Sequence, residues 1–235
     1  MRFDVFPIRG FIENAFLIKG ERIALVDTVA PQNWGKLLRV FADSNASIGE
    51  IECILITHHH FDHCGNLARL KELTGATIIA SEADAPVIEG TTPNPPPSDL
   101  NRLGRFLGKL PGAVLSSYQK YDHVAVDRTV RGGETIEELG LEVIALPGHT
   151  AGGIGFYDKE VGRAFVGDIV SNYFSHPGMP TISASESIED IFESQLLLAG
   201  LDLDTAYLGH GPVIQPDASK VIRELVERKN AAAGI

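Results

Sequence analysis

The chain has 235 residues, 44% hydrophobic and 22% charged, a balance that suits a soluble globular protein able to bury a sizeable core. Its formal net charge of −11 argues against nucleic acid as a partner, because phosphate contacts need clustered Lys and Arg, and a small-molecule substrate is expected instead. Two cysteines, Cys53 and Cys64, are too few for a disulfide framework. No window approaches the roughly 18 uninterrupted apolar residues of a membrane span, and the start "MRFDVFPIRG" lacks a secretory core, so a cytoplasmic, membrane-free protein is expected. Nothing in the sequence speaks to oligomeric state.

In chain order, "RFDVFPI", "NAFLIKG" and "RIALVDT" are short β-rich runs separated by turn residues, which predicts hairpins. In "NWGKLLRVFADS", Trp34, Leu37, Leu38 and Phe41 fall at i, i+3, i+4 and i+7, one apolar helical stripe. "ECILIT" predicts a buried strand, "NLARLKELTG" a helix ending at Gly75, and "ATIIAS" another strand. Residues 91–120 interrupt this α/β rhythm with a Pro-rich insertion. It is either a surface excursion or a lid, with Phe106, Leu107 and Leu110 as its apolar contacts.

The second half restarts with "ETIEELG", "LEVIALPG", "GGIGFYDK" and "RAFVGD" as strands. A helix follows over "SIEDIFESQLLLAGL", with Ser187 as N-cap, and then a strand over "TAYLGHG". The last helix, "DASKVIRELVERKN", places Val221, Ile222, Leu225 and Val226 on one stripe. Hairpins followed by strand–helix alternation in both halves predict two sheets with helices outside them.

The chemistry concentrates in "THHHFDHCGN", which carries four histidines and an aspartate over residues 58–63. Buried together, these groups would repel when protonated and need partners when neutral; a bound cation answers both demands. Extended alternation sends His58, His60 and Asp62 to one side, while His63 turns the corner into the next helix. Three later strands end in the same way, with Gly before a metal-type ligand: "IALPG" before His149, "AFVG" before Asp168 and "AYLG" before His210. Ligands just past strand ends can meet at one rim of a sheet core. Seven candidates exceed the four that one zinc accepts and suit two ions, with Asp168 as the natural bridge. A histidine-rich tract that binds metal adventitiously would not be followed by three Gly-preceded ligands after later strands. Alternation turns His59 away, toward solvent or a supporting role, and His123 and Cys53 read as structural. Cys64 adjoins His63 but is surplus to the set.

With H-x-H-x-D-H followed by a distant His, Asp and His, the sequence resembles the metallo-β-lactamase-fold superfamily from about Asp27 to His210. The resemblance implies an α+β fold, a four-layer αββα sandwich of two mixed sheets flanked by helices, as a single domain over 1–235. It implies that His58, His60 and His149 hold one metal, that Asp62, His63 and His210 hold a second, and that Asp168 bridges them. Asp27 would support the histidine loop from behind. Two zinc ions are expected, with iron or manganese as alternatives. The activity implied is that of a metal-dependent hydrolase, in which a hydroxide bridging the two metals attacks an ester, thioester or lactone carbonyl, with Asp62 and Asp168 as catalytic residues.

Zinc β-lactamases characteristically carry Cys where Asp168 stands, so β-lactams are not the expected substrate. Glyoxalase II has a longer helical C-terminal extension, and N-acyl homoserine lactonases match the length better. A mononuclear-iron persulfide dioxygenase, or a metal-containing binding or response protein with little turnover, are the alternatives. Tyr173 and His176 follow Asp168 in a loop that could line the pocket; Tyr173 either donates to an oxyanion or is a packed aromatic.

Overall fold

In a computed structural model, the backbone is described for residues 3–111 and 120–233, and side chains as far as residue 229. Residues 112–119 of the expected insertion therefore lie outside the described residues. The chain divides into two compact units.

The first unit comprises Met1–Pro96, Leu110–Arg131 and Ile136–Gly140. Its six-stranded sheet runs in sequence order: β1 (Asp4–Arg9), β2 (Asn14–Lys19), β3 (Ile23–Val26), β4 (Ile51–Leu55), β5 (Thr77–Ser81) and β6 (Arg128–Val130). The first three strands pair antiparallel through short turns, as the hairpin reading requires, and β3 to β6 pair parallel. Parallel neighbours need long crossovers, and these carry α1 (Trp34–Asp43), α2 (Phe61–Cys64), α3 (Leu67–Thr74) and α4 (Ala85–Ile88). Alternate strand residues Leu17, Leu25, Ile54, Ile56 and Ile78 form one apolar core with Leu37 and Phe41 of α1 and Leu67 and Leu70 of α3. The intervening residues Ile18, Val26, Leu55 and Ile79 are buried as well, so both sheet faces are apolar, as parallel strands demand.

The helical stripe expected of α1 is narrower than its spacing suggested. Leu37 and Phe41 are buried, Trp34 is half-buried beneath the Arg69 guanidinium, and Leu38 is 42% exposed. At about 100° per residue, Leu38 lies roughly 80° from the centre of the Leu37–Phe41 arc and falls off its edge. The helix α3 ends as predicted at Gly75, whose φ of 68° closes the last turn.

The second unit comprises Pro97–Lys109, Gly132–Thr135 and Leu141–Ile235. It begins with the short helix α5 (Arg102–Leu107), inside the expected insertion, where Phe106 is 63% exposed and Leu107 is half-buried. The strands β7 (Thr135–Ile136), β8 (Leu141–Ala145), β9 (Ile154–Asp158), β10 (Arg163–Phe165) and β13 (Thr205–Tyr207) form a sheet of order β13-β10-β9-β8-β7. Within it β8, β9 and β10 pair antiparallel, and β10 pairs parallel with β13. A separate hairpin joins β11 (Ser171–Tyr173) to β12 (His176–Gly178). The helix α6 (Ile188–Gly200) starts at the predicted cap, where the Ser187 hydroxyl accepts from the Asp190 amide at 3.1 Å. The last helix, α7 (Ala218–Ala233), buries Ile222 and Leu225 with Ile191 and Leu198 of α6 against the sheet residues Ile144, Ala164 and Ala206. Among the described residues, no helix is long and apolar enough to cross a membrane.

Candidate metal centre

The histidine loop leaves β4 at its C-terminal end. Because Val26 pairs with Leu55 across β3 and β4, Asp27 and Thr57 emerge side by side. The Asp27 amide donates to the Leu55 carbonyl at 2.9 Å, and the Asp27 carboxylate accepts from the Thr57 amide at 2.9 Å and the Thr57 hydroxyl at 2.8 Å. The same carboxylate lies 2.8 Å from His63 Nδ1. These contacts decide where the imidazole protons sit. A carboxylate accepts, so His63 donates through Nδ1. The Thr57 proton is already committed to Asp27, so the Thr57 oxygen, 3.0 Å from His58 Nδ1, accepts from that nitrogen. Both rings thus carry their proton on Nδ1 and their lone pair on Nε2, the form a metal requires.

The backbone around Asp27 is strained to achieve this. Asp27 has φ of 60° and Val29 φ of 52°, and each such residue costs about 1–3 kcal/mol. Asn66 holds the turn by donating to the carbonyls of Thr28, Val29 and Ala30 at 2.9, 3.1 and 3.0 Å. Glu13 holds it from the other side, accepting from the Ala30 amide at 3.0 Å and from Asn33 Nδ2 at 2.5 Å. Burial alone would raise the Glu13 pKa; the Ala30, Glu13 and Ile12 amides and Asn33 outweigh it and hold the carboxyl below its ordinary value. The one-turn helix α2 then swings His63 back, with its ring centroid 4.0 Å from that of His58; His60 lies 4.8 Å from His58.

His59 points elsewhere, as alternation predicts, but it is not solvated. It is 2% exposed, its ring Nδ1 lies 3.1 Å from Asp84 Oδ2, and its carbonyl accepts from the Tyr121 hydroxyl at 3.1 Å. Cys64 is fully buried and its thiol donates to the His58 carbonyl at 3.5 Å. Burial, with the charges of Asp27, Asp84 and Asp62, pushes that thiol well above its ordinary pKa.

In the second unit, the Gly-preceded residues follow the ends of β8, β10 and β13. Phe165 and Tyr207 are register partners on parallel strands, so Asp168 and His210, each three residues further on, arrive together; His210 Nε2 lies 2.9 Å from Asp168 Oδ2. His149 Nε2 lies 3.3 Å from the same oxygen. Gly148 is required before His149: its φ is 121°, and a Cβ there would strike the backbone of Asp190 and Ile191 at the start of α6. Behind the ring, the Ser185 hydroxyl donates to the Thr181 carbonyl at 3.0 Å and so accepts from His149 Nδ1 at 2.9 Å. A third imidazole is thereby fixed with its lone pair on Nε2.

Among the described residues, the side chains that could hold a metal ion form one group in each unit: His58, His60, Asp62 and His63 in the first, and His149, Asp168 and His210 in the second. All seven sequence candidates occur in these groups. Of the two pocket candidates, Tyr173 places its ring 5.8 Å from that of His210, whereas His176 sits exposed across the β11–β12 hairpin, with Nδ1 2.7 Å from the Phe174 carbonyl. His123 is structural, its Nδ1 3.1 Å from the Ile88 carbonyl. Sequence reasoning missed Thr57, Ser185, Asn66 and Asp84. Thr57 directly precedes the motif and so had a local signal, whereas Ser185 lies far from His149 in the chain and had none.

Residues 8–210 match the family model of the metallo-beta-lactamase superfamily. Hydroxyacylglutathione hydrolases of Brucella ovis and Brucella abortus are each 32% identical over 120 residues, which is 50% of this chain and 33% of the relative, so the match spans about a third of their length. A metallo-beta-lactamase family protein from Thermus thermophilus superposes with a TM-score of 0.74 at 24% identity, over 99% of this chain and 79% of that one. A subclass B3 metallo-beta-lactamase of Bradyrhizobium japonicum superposes with 0.69 at 22%, over 99% and 91%. The expected α+β sandwich of mixed sheets and helices is therefore the observed fold, and the names of the relatives point to hydrolases. Its motif, its fold and the match over residues 8–210 place this chain in the metallo-β-lactamase superfamily.

Proposed function

We propose that the protein is a metal-dependent hydrolase of small-molecule esters, thioesters or lactones. The observation that carries this reading is the pinning of His58, His63 and His149 through Nδ1 by Thr57, Asp27 and Ser185. A buried imidazole with its proton held at the back presents a neutral Nε2 donor, so the donor set fits a borderline cation such as zinc. In this reading His58, His60 and His149 hold one ion, Asp62, His63 and His210 a second, and Asp168 serves both. When bound, two zinc ions supply an acidified water at neutral pH and a Lewis acid for the carbonyl.

The chain's own residues do the rest. Asp27 keeps the His63 lone pair directed away from the strand end by holding the opposite nitrogen. Asp168 supplies negative charge next to the His149 and His210 rings, which offsets the charge of the cations. Asp62, only half-buried, assists proton movement to the leaving group. Tyr173, whose ring lies 5.8 Å from that of His210, would donate its hydroxyl to the oxyanion formed on the substrate. The relatives' name, hydroxyacylglutathione hydrolase, supports a thioester among the candidate bonds.

The first test is elemental analysis of protein expressed with zinc, iron and manganese all available, followed by a panel of thioesters and lactones. Near two zinc per chain, with turnover lost on chelation and on Asp168→Asn, is the expected result. One iron per chain with oxygen uptake on a persulfide would overturn the proposal.

A further inference from the structure

The segment 97–109 shapes a cavity of about 460 Å3 that the metal chemistry leaves unexplained. Its walls include Pro97, Asp99, Arg102, Arg105, Phe106 and Lys109. In a chain of net charge −11, three cations against one carboxylate in thirteen residues is a local inversion. Five cations elsewhere on the surface are matched: Arg22 with Glu52, Lys71 with Asp127, Arg128 with Glu138, Arg131 with Glu82 and Arg163 with Asp158. Among the described residues Arg102, Arg105 and Lys109 form no ion pair; Arg105 spends one N–H on the Asp99 carbonyl at 2.9 Å. Such a cluster repels itself, and an anion relieves the repulsion.

The cavity is built rather than draped. Asn101 caps α5 by accepting from the Gly104 amide at 2.7 Å, and Gly104 packs so tightly on the Ser98 carbonyl that any Cβ would displace it. The Ser98 amide donates to the Ser183 carbonyl at 3.0 Å, and Ser185, two residues on, holds His149. The basic segment and a metal-ligand candidate are thus fastened to the same short stretch, 181–185, inside one unit. Phe106, 63% exposed, adds an apolar face beside the cations.

We propose that this cavity binds an anionic group, a carboxylate or a phosphate, on a small molecule. Two guanidinium groups offer planar forks that match either oxyanion, and Lys109 adds a point charge. On the hydrolase reading, which it needs only for this step, the anion belongs to the substrate and selects charged esters or thioesters over neutral ones.

The test is calorimetric titration of the metal-loaded full chain at low ionic strength with phenyl phosphate and, separately, with succinate. Wild type is compared with the R102Q/R105Q double variant, with metal per chain measured in both. The expected result is saturable binding of at least one anion, with Kd raised about tenfold or more in the variant at equal metal content. Saturation by phenyl phosphate alone assigns a phosphate, by succinate alone a carboxylate. Equal Kd in the two proteins, or saturation by neither anion, overturns the proposal. Because this readout is binding, anion capture with no ester, thioester or lactone turnover would sink the hydrolase reading and leave the anion site standing.

Discussion

Asp27 concentrates more of the site's order than any ligand candidate. One carboxylate fixes the Thr57 amide, the Thr57 hydroxyl and the His63 ring, and through Thr57 it sets the proton on His58. Asp27→Asn should therefore weaken metal binding about 10–100-fold, the usual cost of losing such a support, measured by competition with a chromophoric chelator. Unchanged affinity would remove Asp27 from the site. Lys229 makes a different prediction at the same scale. Its Nζ contacts Met179 Sδ and lies 3.1 Å from Gln195 Oε1, and burial pulls its pKa from 10.5 down to about 8. With the folded value below the unfolded one, the unfolded chain holds more protons between those two pH values. Stability should then rise with pH across that window, and below it the cost of the buried charge is complete. After allowance for solvent screening of a half-exposed group, Lys229→Met should stabilise the protein at pH 7 by about 1 kcal/mol, or ~2–4 °C in Tm, with the gain fading toward pH 10.5. A variant less stable than wild type at pH 7 would refute this.

At the scale of elements, strand ends determine where the chemistry goes. The pairing of Phe165 with Tyr207 delivers Asp168 and His210 to one place, and the pairing of Val26 with Leu55 does the same for Asp27 and Thr57. Strand and helix existence was legible because periodicity, capping and turn chemistry agree locally: Ser187 and Gly75 stand where their helices start and stop. The width of a buried face was not legible, because it depends on what packs there. Leu37→Ala, in the α1 core contact, should cost about 2–5 kcal/mol in denaturant unfolding, and Leu38→Ala, off the stripe, within about 0.5 kcal/mol of nothing. Equal losses at the two positions would mean that the helix packs differently.

At the scale of the whole molecule, the proposed metal binding would be coupled to stability, because ligands as far apart in sequence as residues 58–63, 149, 168 and 210 can serve one site only in a folded chain. Free zinc at about 100 times its Kd should add ~2.7 kcal/mol, seen as a higher Tm that a chelator reverses. A Tm indifferent to zinc would contradict the proposed site. The sequence by itself determined the family and the candidate ligands, because a metal demands particular donor atoms at strand ends and those leave a spacing that can be read. It determined the alternating face of His59 but not its burial against Asp84, which comes from a distant segment. Only the tertiary structure decided which nitrogen each histidine presents, since Ser185 and Asp27 are 36 residues from the rings they hold.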